Sequence, residues 1–392
     1  MSSDNIQVRV LHIITRFLKW GGADLNTYYS IQALEPERYK VDLVVGRDSH
    51  LDMLKGYDQG ELVQINSLVR DPNPRLDPVA LFRLYRFIRK RDYDIVHTHT
   101  GKAGVLGRMA ARMAGVSVII HGLHGSMDAR NPILDKIYTY LDRFTGRFTD
   151  KFVSVGEDLK KKYIDRGVGE PGDYTVIHSG MELGEFRKAG RMDEDKVTEK
   201  KEELGVPEDA VVLGKVAGLE PRKGHKYLIQ AAEKILEEYE EVYLLFVGDG
   251  WYRDEIERMV ERSGVSNRVI FTGFREDIVE VMATFDIFVF TSLWEGLPQV
   301  LVQSAAEAIP IVTFEVEGAD EVVDNGQNGF VVPSKDVDAF IDKVSCLIED
   351  REKAREMGQR GPKKIGNKWS IEHMQEETLQ LYEEIVEEHL TS

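Results

Sequence analysis

The stretch "DIFVFTSLWEGLPQVLVQSAAEAIPIVTF" (286–314) contains the repeating unit from which this chain is built. An apolar run, "DIFVFTS", leads through a turn into "PQVLVQSAAEA", which has helical spacing, and then into a second apolar run, "IPIVTF". Short, nearly continuous apolar runs separated by a helix are typical of parallel strands buried on both faces. The stretch therefore predicts a strand–helix–strand unit of an α/β fold.

The same alternation fills most of the remaining chain. In the C-terminal half, strands are predicted at "AVVLGKVAGL" (210–219), "VYLLFVGDG" (242–250) and "RVIFTGF" (268–274). In the N-terminal half, they are predicted at "VRVLHIIT" (8–15), "YKVDLVVG" (39–46), "YDIVHTH" (93–99), "VSVIIHGLHG" (116–125) and "DKFVSVG" (150–156). Amphipathic helical runs lie between these strands. The two series predict two doubly wound parallel sheets.

A charged segment, "GRMDEDKVTEKKEELGV" (190–206), separates the two series and is predicted to be a solvated helix. We predict an N-terminal Rossmann-like domain over residues 1–185, a C-terminal Rossmann-like domain over 203–368 and a final helix over 369–392. Doubly wound sheets bind ligands beyond the carboxyl ends of their strands. The expected site is therefore a central cleft that both domains face.

Composition indicates a soluble globular protein. Of the 392 residues, 42% are hydrophobic and 30% charged, and no apolar run approaches the roughly 20 residues that span a bilayer. Cys346 is the single cysteine, which excludes an intrachain disulfide and a cysteine-rich metal site. The first ten residues do not resemble a secretory signal. A cytoplasmic location is expected, and a peripheral one at the inner face of the cell membrane stays open.

The net charge of −17 is unevenly distributed. Residues 1–185 hold 26 Lys and Arg against 24 Asp and Glu, whereas the remainder holds 25 against 44. Nucleic-acid binding needs clustered positive charge, so it is not expected. The N-terminal half could approach an anionic membrane surface through "LFRLYRFIRKR" (81–91), although a core-packed helix with a basic outer face is the favoured explanation of this pattern.

Polar residues at the end of one predicted strand indicate a binding site. In "WEGLPQVLVQ" (294–303), Glu295 comes directly before a helix whose first position suits Pro298. The free N–H groups at such a helix start, over residues 296–299, could hold an anion or a sugar hydroxyl. Gln303 lies on the helix, where a carboxylate or an amide could bond a ribose diol. An ordinary turn with incidental polar residues would look the same.

Other loops between strand and helix carry residues of similar chemistry. Lys223, in "LEPRKGH" (219–225), lies where a lysine can reach a diphosphate. "WGGAD" (20–24) and "VGDGWYRDEI" (247–256) contain glycines that permit close approach of a ligand. In "HTHTGKAG" (97–104), His97 and His99 share one face of a strand, but no third metal ligand of fitting spacing is evident. No metal site is therefore expected, and Lys102 is either a ligand contact or a surface lysine.

The sequence resembles the retaining glycosyltransferases of family 4, which have the GT-B architecture of two Rossmann-like domains. The resemblance runs through "GGADLNTYYS", "DIVHTHTGKAGVLGRMAA", "HGLHG", "VAGLEPRKGHKYLIQAA", "FVGDG", "FTGF", "WEGLPQVLVQSAAEAIPIV" and "DNGQNGFVV", in this order. It covers nearly the whole chain. It also implies that the final helix returns to the N-terminal domain.

The resemblance implies a metal-independent reaction without a cofactor. A nucleoside-diphosphate sugar, first of all a UDP-sugar, would donate a hexosyl or N-acetylhexosaminyl group to a hydroxyl of a glycan, a lipid-linked glycan or a small molecule. Polysaccharide or lipid-linked glycan synthesis is the expected setting. The implied catalytic residues are Glu295, His124 and Lys223. The implied donor-binding residues are Gly21, Gly22, Arg222, Gly248, Gly250, Phe274, Arg275, Gly296, Leu297, Pro298, Gln299 and Gln303. Asn26 and Lys102 are implied on the acceptor side.

Two positions depart from the family pattern. Gln303 replaces the second glutamate of the family motif, and Gly218 replaces an arginine that usually precedes the lysine. Arg222 could supply the missing charge, but adjacent side chains rarely point the same way. An active transferase is the favoured interpretation. The alternatives are a sugar-nucleotide-binding relative with impaired transfer and a GT-B sugar-nucleotide epimerase.

Overall fold

The computed structural model describes residues 7–18, 22–125, 132–190 and 192–390; the expected donor ligand Gly21 lies outside them. The chain divides into two compact units. The first unit comprises Met1–Met181 together with Ser370–Ser392, and the second comprises Glu182–Trp369. Each unit is an α/β structure built on one parallel sheet.

The first unit contains a seven-stranded parallel sheet in the order β3-β2-β1-β4-β5-β6-β7. Its strands are β1 (Val8–Ile14), β2 (Tyr39–Gly46), β3 (Leu62–Ile65), β4 (Ile95–His99), β5 (Val118–Leu123), β6 (Lys151–Ser154) and β7 (Tyr174–Val176). The helices along the chain are α1 (Gly22–Gln32), α2 (Leu76–Arg89), α3 (Gly101–Ala114), α4 (Pro132–Gly146) and α5 (Glu157–Asp165). Alternate residues of β1 enter separate cores on the two faces of the sheet, with Val10 on one face and Leu11 on the other.

The second unit contains a six-stranded parallel sheet in the order β10-β9-β8-β11-β12-β13. Its strands are β8 (Val211–Val216), β9 (Val242–Val247), β10 (Val269–Gly273), β11 (Ile287–Phe290), β12 (Ile311–Phe314) and β13 (Gly329–Val332). Its helices are α6 (Leu183–Ala189), α7 (Glu194–Glu203), α8 (His225–Glu238), α9 (Arg253–Ser263), α10 (Ile278–Met282), α11 (Gln299–Ala306), α12 (Ala319–Val322), α13 (Val337–Glu349), α14 (Arg351–Gln359) and α15 (Gly361–Ile365).

Both sheets are doubly wound, and each has one point where the strand order reverses. In the first unit this point lies between β1 and β4, and in the second it lies between β8 and β11. Loops leave the two strands in opposite directions there and open a crevice at the carboxyl ends. Each sheet therefore provides one place at which a ligand can meet loop residues from two strands.

The last helix, α16 (Ile371–His389), belongs to the first unit, as the expected return of this helix requires. Its apolar stripe, including Met374, Leu381 and Tyr382, lies in the same core as strands β1 and β2. Ser370 caps its first turn by accepting a hydrogen bond from the His373 N–H. The first sheet is thus covered partly by the far end of the chain.

Helix α2 buries Ala80, Leu84 and Ile88, whereas Phe82 is 60% exposed. The basic run therefore belongs to a helix that packs on the core with one face. Among the described residues, no helix is long and apolar enough to cross a membrane.

Candidate functional site

The strand-order reversal of the second sheet brings together the two loops that carry the predicted site. The loop after β8 contains Arg222 and Lys223, and the loop after β11 contains Glu295. The two loops are joined by a backbone hydrogen bond of 2.9 Å from the Leu293 N–H to the Arg222 carbonyl oxygen. Glu295 is nearly buried, with 9% of its side chain exposed.

Both cations reach Glu295, contrary to the expectation that adjacent side chains diverge. Lys223 Nζ donates to Glu295 Oε1 at 2.6 Å, and Arg222 Nη1 donates to Glu295 Oε2 at 3.2 Å. The reason is the 3₁₀ turn at Pro221–Lys223, which ends at Gly224 with a φ of +66°. The resulting cluster contains two positive charges and one carboxylate at a sheet edge.

Gly224 is required by the close approach of the two loops. A Cβ at this position would lie 1.8 Å from the Thr291 carbonyl oxygen, where β11 ends. Thr291 Oγ1 donates to the Gly224 carbonyl oxygen at 3.1 Å. The glycine therefore lets the cationic turn pack directly on the loop that carries the carboxylate.

Lys215 is a third cation at this edge that the sequence analysis missed. It lies on β8, is fully buried, and donates from Nζ to Thr291 Oγ1 at 3.0 Å. Its pKa is lowered to about 7, mainly by burial. Lys223 also lowers this pKa, whereas Glu295 raises it. The signal in the sequence was a lone lysine inside the apolar run "VVLGKV".

The two glycines after β9 are required by backbone packing, and their expected contact with the donor stays a prediction. A Cβ at Gly248, where φ is +132°, would lie 2.2 Å from the Ala217 carbonyl oxygen. A Cβ at Gly250 would lie 2.5 Å from the Leu219 carbonyl oxygen. By contrast, a Cβ at Gly218 would meet only the Asp249 carbonyl oxygen, at 3.8 Å.

The helix start after Glu295 differs by one residue from the prediction. Helix α11 begins at Gln299, so Pro298 is its N-cap rather than its first residue. Gly296 and Leu297 precede it and are half-buried. Gln303 lies on α11 and is also half-buried.

The segment after β10 contains two residues that were expected to bind the donor, Phe274 and Arg275. Phe274 is 57% exposed, which excludes plain core packing and leaves its ring accessible. Arg275 is engaged elsewhere: its Nε donates to Asp277 at 2.7 Å and its Nη2 donates to Glu203 at 2.6 Å. In this structure Arg275 therefore belongs to an ion-pair network with Asp277 and Glu203, and its expected donor contact stays a prediction.

The two residues expected on the acceptor side, Asn26 and Lys102, have partners within the first unit. Asn26 is buried, and its Nδ2 donates to Ser179 Oγ at 3.2 Å, while Met374 Sδ lies 3.7 Å away. Lys102 donates to the Asp71 carbonyl oxygen at 2.6 Å and forms an ion pair with Asp77. Both side chains tie parts of the first unit together.

Gly22 is the first residue of α1 and is half-buried.

The first sheet gathers histidines at its own strand-order reversal. His12 of β1 and His97 of β4 are register partners, and His99 lies two residues beyond His97. The nitrogens of these three rings lie within 4.8 Å of one another. The expectation that no third possible ligand accompanies His97 and His99 is therefore wrong. The third residue, His12, lies 85 residues before His97 in the chain, on the neighbouring strand β1.

The three rings are arranged for mutual hydrogen bonding. His12 Nδ1 lies 2.9 Å from His99 Nε2, so these two nitrogens already share a proton. The rings of His97 and His99 are stacked, with centroids 4.3 Å apart and planes inclined by 26°. A metal binds in the plane of each imidazole, and stacked planes do not direct their lone pairs at one ion. The arrangement therefore fits a hydrogen-bonded cluster better than a metal centre.

His124 extends this cluster, and His121 does not belong to it. His124 Nε2 lies 3.0 Å from His99 Nδ1. His121 instead hydrogen-bonds Thr98, with its Nδ1 3.1 Å from the carbonyl oxygen. Burial lowers the pKa of His124 to about 4, so a role that requires a charged imidazole at neutral pH is not supported.

Solved structures share this fold. The structure of Anabaena Alr3699/HepE in complex with UDP-glucose superposes with a TM-score of 0.80 at 22% identity, covering 96% of this chain and 100% of that one. At this identity the likeness concerns the fold. It confirms two Rossmann-like units of the GT-B type.

The sequence comparisons identify the family. "Glycosyltransferase Family 4" matches residues 20–185, and "Glycosyl transferases group 1" matches residues 196–364. EpsD of Bacillus subtilis (strain 168) is 32% identical over 295 residues, which cover 73% of this chain and 75% of that protein. The chain belongs to glycosyltransferase family 4.

A further relative is similar over a greater length. The UDP-Gal:alpha-D-GlcNAc-diphosphoundecaprenol alpha-1,3-galactosyltransferase of Escherichia coli is 26% identical over 361 residues, which cover 90% of each chain.

Proposed function

We propose that this glycosyltransferase takes a sugar from a nucleoside-diphosphate sugar, with UDP as the nucleotide, and transfers it to a hydroxyl acceptor with retention of configuration. The Arg222–Lys223–Glu295 cluster at the strand-order reversal of the second sheet carries the proposal. A diphosphate needs cations, and a sugar needs a carboxylate that can accept from its hydroxyls. This cluster offers both within one hydrogen-bonded group.

The proposed chemistry uses no metal. The bond between the anomeric carbon and the diphosphate oxygen breaks, and the diphosphate leaves with the electron pair. Lys223 and Arg222 shift from Glu295 to the departing diphosphate and stabilise its developing charge. The acceptor hydroxyl attacks the anomeric carbon from the face that the diphosphate leaves, and its proton passes to a diphosphate oxygen. Glu295 holds the hydroxyls of the donor sugar.

The names of two similar proteins support the UDP assignment and the setting. The Escherichia coli relative uses UDP-Gal and an undecaprenol-linked acceptor, and the HepE structure contains UDP-glucose. A lipid-linked or polysaccharide precursor is therefore the proposed acceptor, at the inner face of the membrane. Gln303 would bond the ribose as a neutral amide, with roughly 0.5–1.5 kcal/mol for each bond instead of about 1.5–3 for a carboxylate.

The test is calorimetric titration with UDP, GDP and ADP, first without metal and then with magnesium. We expect saturable binding of UDP that Lys223→Ala weakens. Product analysis with UDP-sugars follows, and Glu295→Ala should abolish transfer while the circular dichroism spectrum stays unchanged. Binding without turnover would indicate the transfer-impaired alternative, and an isomerised free sugar would indicate an epimerase. Unchanged turnover of Glu295→Ala would refute the site.

A further inference from the structure

Five side chains in the first unit form one continuous hydrogen-bonded chain, which we call the histidine chain. Its members in order are His97, Tyr382, His12, His99 and His124. His97 Nδ1 lies 2.9 Å from Tyr382 Oη, which lies 3.1 Å from His12 Nε2. His12 Nδ1 then lies 2.9 Å from His99 Nε2, and His99 Nδ1 lies 3.0 Å from His124 Nε2.

The outer ring nitrogens at the two ends of the histidine chain are His97 Nε2 and His124 Nδ1. Among the described residues, neither has a hydrogen-bond partner. Gly122 makes room for the middle of the chain, because a Cβ there would lie 2.9 Å from His99 Nδ1 and 3.1 Å from His124 Nε2. The chain is therefore a packed arrangement of rings with two open ends.

All four imidazoles are neutral at pH 7. Burial lowers the pKa of His12 to about 3 and that of His124 to about 4. Burial also lowers the pKa of His97 and His99, and the neighbouring histidines lower it further. Burial raises the pKa of Tyr382 well above its usual value, so the phenol keeps its proton. Each member of the chain thus carries one exchangeable proton.

A proton count then restricts the chain to two states. The five members carry five protons, and the four hydrogen bonds between them use four. The fifth proton must lie on an end nitrogen, either His124 Nδ1 or His97 Nε2. In every hydrogen bond the donor must then be the member farther from that end. If the proton is on His124 Nδ1, all four histidines are Nδ1–H tautomers. If it is on His97 Nε2, all four are Nε2–H tautomers.

The two ends are surrounded differently. His97 is 3% exposed and lines a cavity of about 10 Å³, which has room for about one water molecule. A water in this cavity can donate to His97 Nε2 or accept from it, so this end is compatible with both tautomer patterns. His124 is less buried, so its Nδ1 can meet a polar group from outside the histidine chain. An anionic oxygen such as that of a phosphate only accepts, so it would require an N–H at this end.

We propose that the histidine chain is one proton-ordered unit with all four histidines in the Nδ1–H form, so that His124 Nδ1–H, at the less buried end, can donate to an anionic oxygen. His99 is the positioning residue, because its Nδ1–H bond to His124 Nε2 forces the proton of His124 onto Nδ1. Tyr382, His12 and His97 orient the remaining hydrogen bonds in the same direction. The choice of Nδ1–H over Nε2–H rests on an accepting oxygen as the partner of His124, whereas the coupling of the tautomers rests on the geometry alone.

The test is ¹⁵N nuclear magnetic resonance of the full-length protein labelled in its histidine rings, without any ligand. Ring-nitrogen shifts distinguish the two tautomers directly. We expect His12, His97, His99 and His124 all to carry the proton on Nδ1. His121 lies outside the histidine chain and is assigned separately, since its Nδ1 is 3.0 Å from Thr98 Oγ1 and 3.1 Å from the Thr98 carbonyl oxygen. Four Nε2–H tautomers, a mixture among the four, or a doubly protonated ring would each overturn the proposal.

Two variants test the coupling. Tyr382→Phe removes the acceptor of the His97 Nδ1–H, so His97 should change to Nε2–H while His12, His99 and His124 stay unchanged. His99→Phe removes the donor to His124 Nε2, so His124 should move toward the Nε2–H form that an unconstrained imidazole prefers. An unmoved His124 in folded His99→Phe would refute the positioning role. Failure of UDP binding or turnover would refute the proposed function and leave the tautomer pattern as it is.

Discussion

At the scale of single residues, the second unit contains two buried ionisable groups with opposite effects on the pH dependence of stability. Lys215 has a pKa lowered to about 7, and Glu307 has a pKa raised to about 9. Both shifts arise mainly from burial, and both groups are therefore neutral over part of the physiological range. Each makes a separate prediction.

Lys215 should destabilise the protein at low pH. Below pH 7 both folded and unfolded states hold the proton, so the full cost of burying the charge is present. Between pH 7 and the usual lysine pKa only the unfolded state holds it, so stability rises with pH, by about 1.4 kcal/mol per pH unit at most. Lys215→Met should abolish this rise in urea unfolding measured at pH 6, 8 and 10.

The control for this measurement is Lys226→Met, which changes an exposed lysine on the neighbouring helix. It should keep the wild-type slope. If Lys215→Met also keeps that slope, Lys215 remains charged in the folded state. In the proposed function a bound diphosphate would raise the pKa of Lys215, so this lysine could supply part of the charge that Gly218 lacks.

Glu307 should destabilise the protein at high pH. It lies at the end of α11, is 3% exposed, and its carboxylate oxygens have no hydrogen-bond partner among the described residues. Its folded pKa exceeds the unfolded one, so from about pH 5 to 9 only the folded state holds the proton. Stability therefore falls as the pH rises through this window.

Glu307→Gln should remove this decrease in stability. In urea unfolding, the free energy of unfolding of the variant should therefore rise relative to that of the wild type between about pH 5 and 9. The matched control is Glu233→Gln at an exposed position of α8, which should change nothing. Parallel pH profiles of Glu307→Gln and the wild type would mean that Glu307 ionises normally.

At the scale of elements, the loops after β8 and β9 contain glycines that differ in how well they tolerate a side chain. Gly218 has space for a side chain, whereas Gly248 packs on the Ala217 carbonyl oxygen with a φ of +132°. Gly218→Ala should therefore leave the melting temperature unchanged. Gly248→Ala should destabilise the fold by about 2 kcal/mol or more, because its Cβ meets backbone and its φ is strained.

Gly218→Arg adds the charge that the family pattern places there. We expect UDP to bind roughly tenfold more tightly, the effect of one additional charged hydrogen bond to phosphate. Calorimetry of this variant beside Gly218→Ala separates the charge from the change in backbone. Equal affinity of the two variants would show that Lys223, Arg222 and Lys215 already provide sufficient charge.

At the scale of the whole molecule, the two units differ in how much chain they need in order to fold. The second unit is one contiguous segment, Glu182–Trp369, and its large core cluster runs from Val211 to Met357. The core of the first unit requires α16, which contributes Met374, Leu381, Tyr382, Ile385 and Val386. Folding of the first unit therefore waits for the C-terminus.

We predict that residues 182–369 fold in isolation and bind UDP, whereas residues 1–181 do not fold alone. Loss of five buried apolar side chains should cost the first unit more than its net stability, at about 1.5–3 kcal/mol for each. Circular dichroism and thermal unfolding of the two fragments test this. Addition of a peptide covering residues 370–392 should restore the fold of the first fragment; cooperative unfolding of residues 1–181 alone would contradict the prediction.

The sequence by itself determined the α/β class, the two sheets, most strands and the loop positions of Lys223 and Glu295. These features depend on local periodicity and on the rule that parallel strands present their carboxyl ends at one edge. The helices α4, α5, α6, α12, α13, α14 and α15 were not predicted. The short strands β3, β7 and β13 were also missed, because strands of three or four residues hold too few positions to show a period.

Only the tertiary structure decided which side chains meet. Arg222 and Lys223 share Glu295 because a 3₁₀ turn packs on the loop after β11. His12, His99 and Tyr382 meet because β1 lies beside β4 and the last helix covers both, which no spacing along the chain reveals. Contacts of this kind depend on strand order and on packing between distant segments, whereas periodicity reports only the neighbours along the chain.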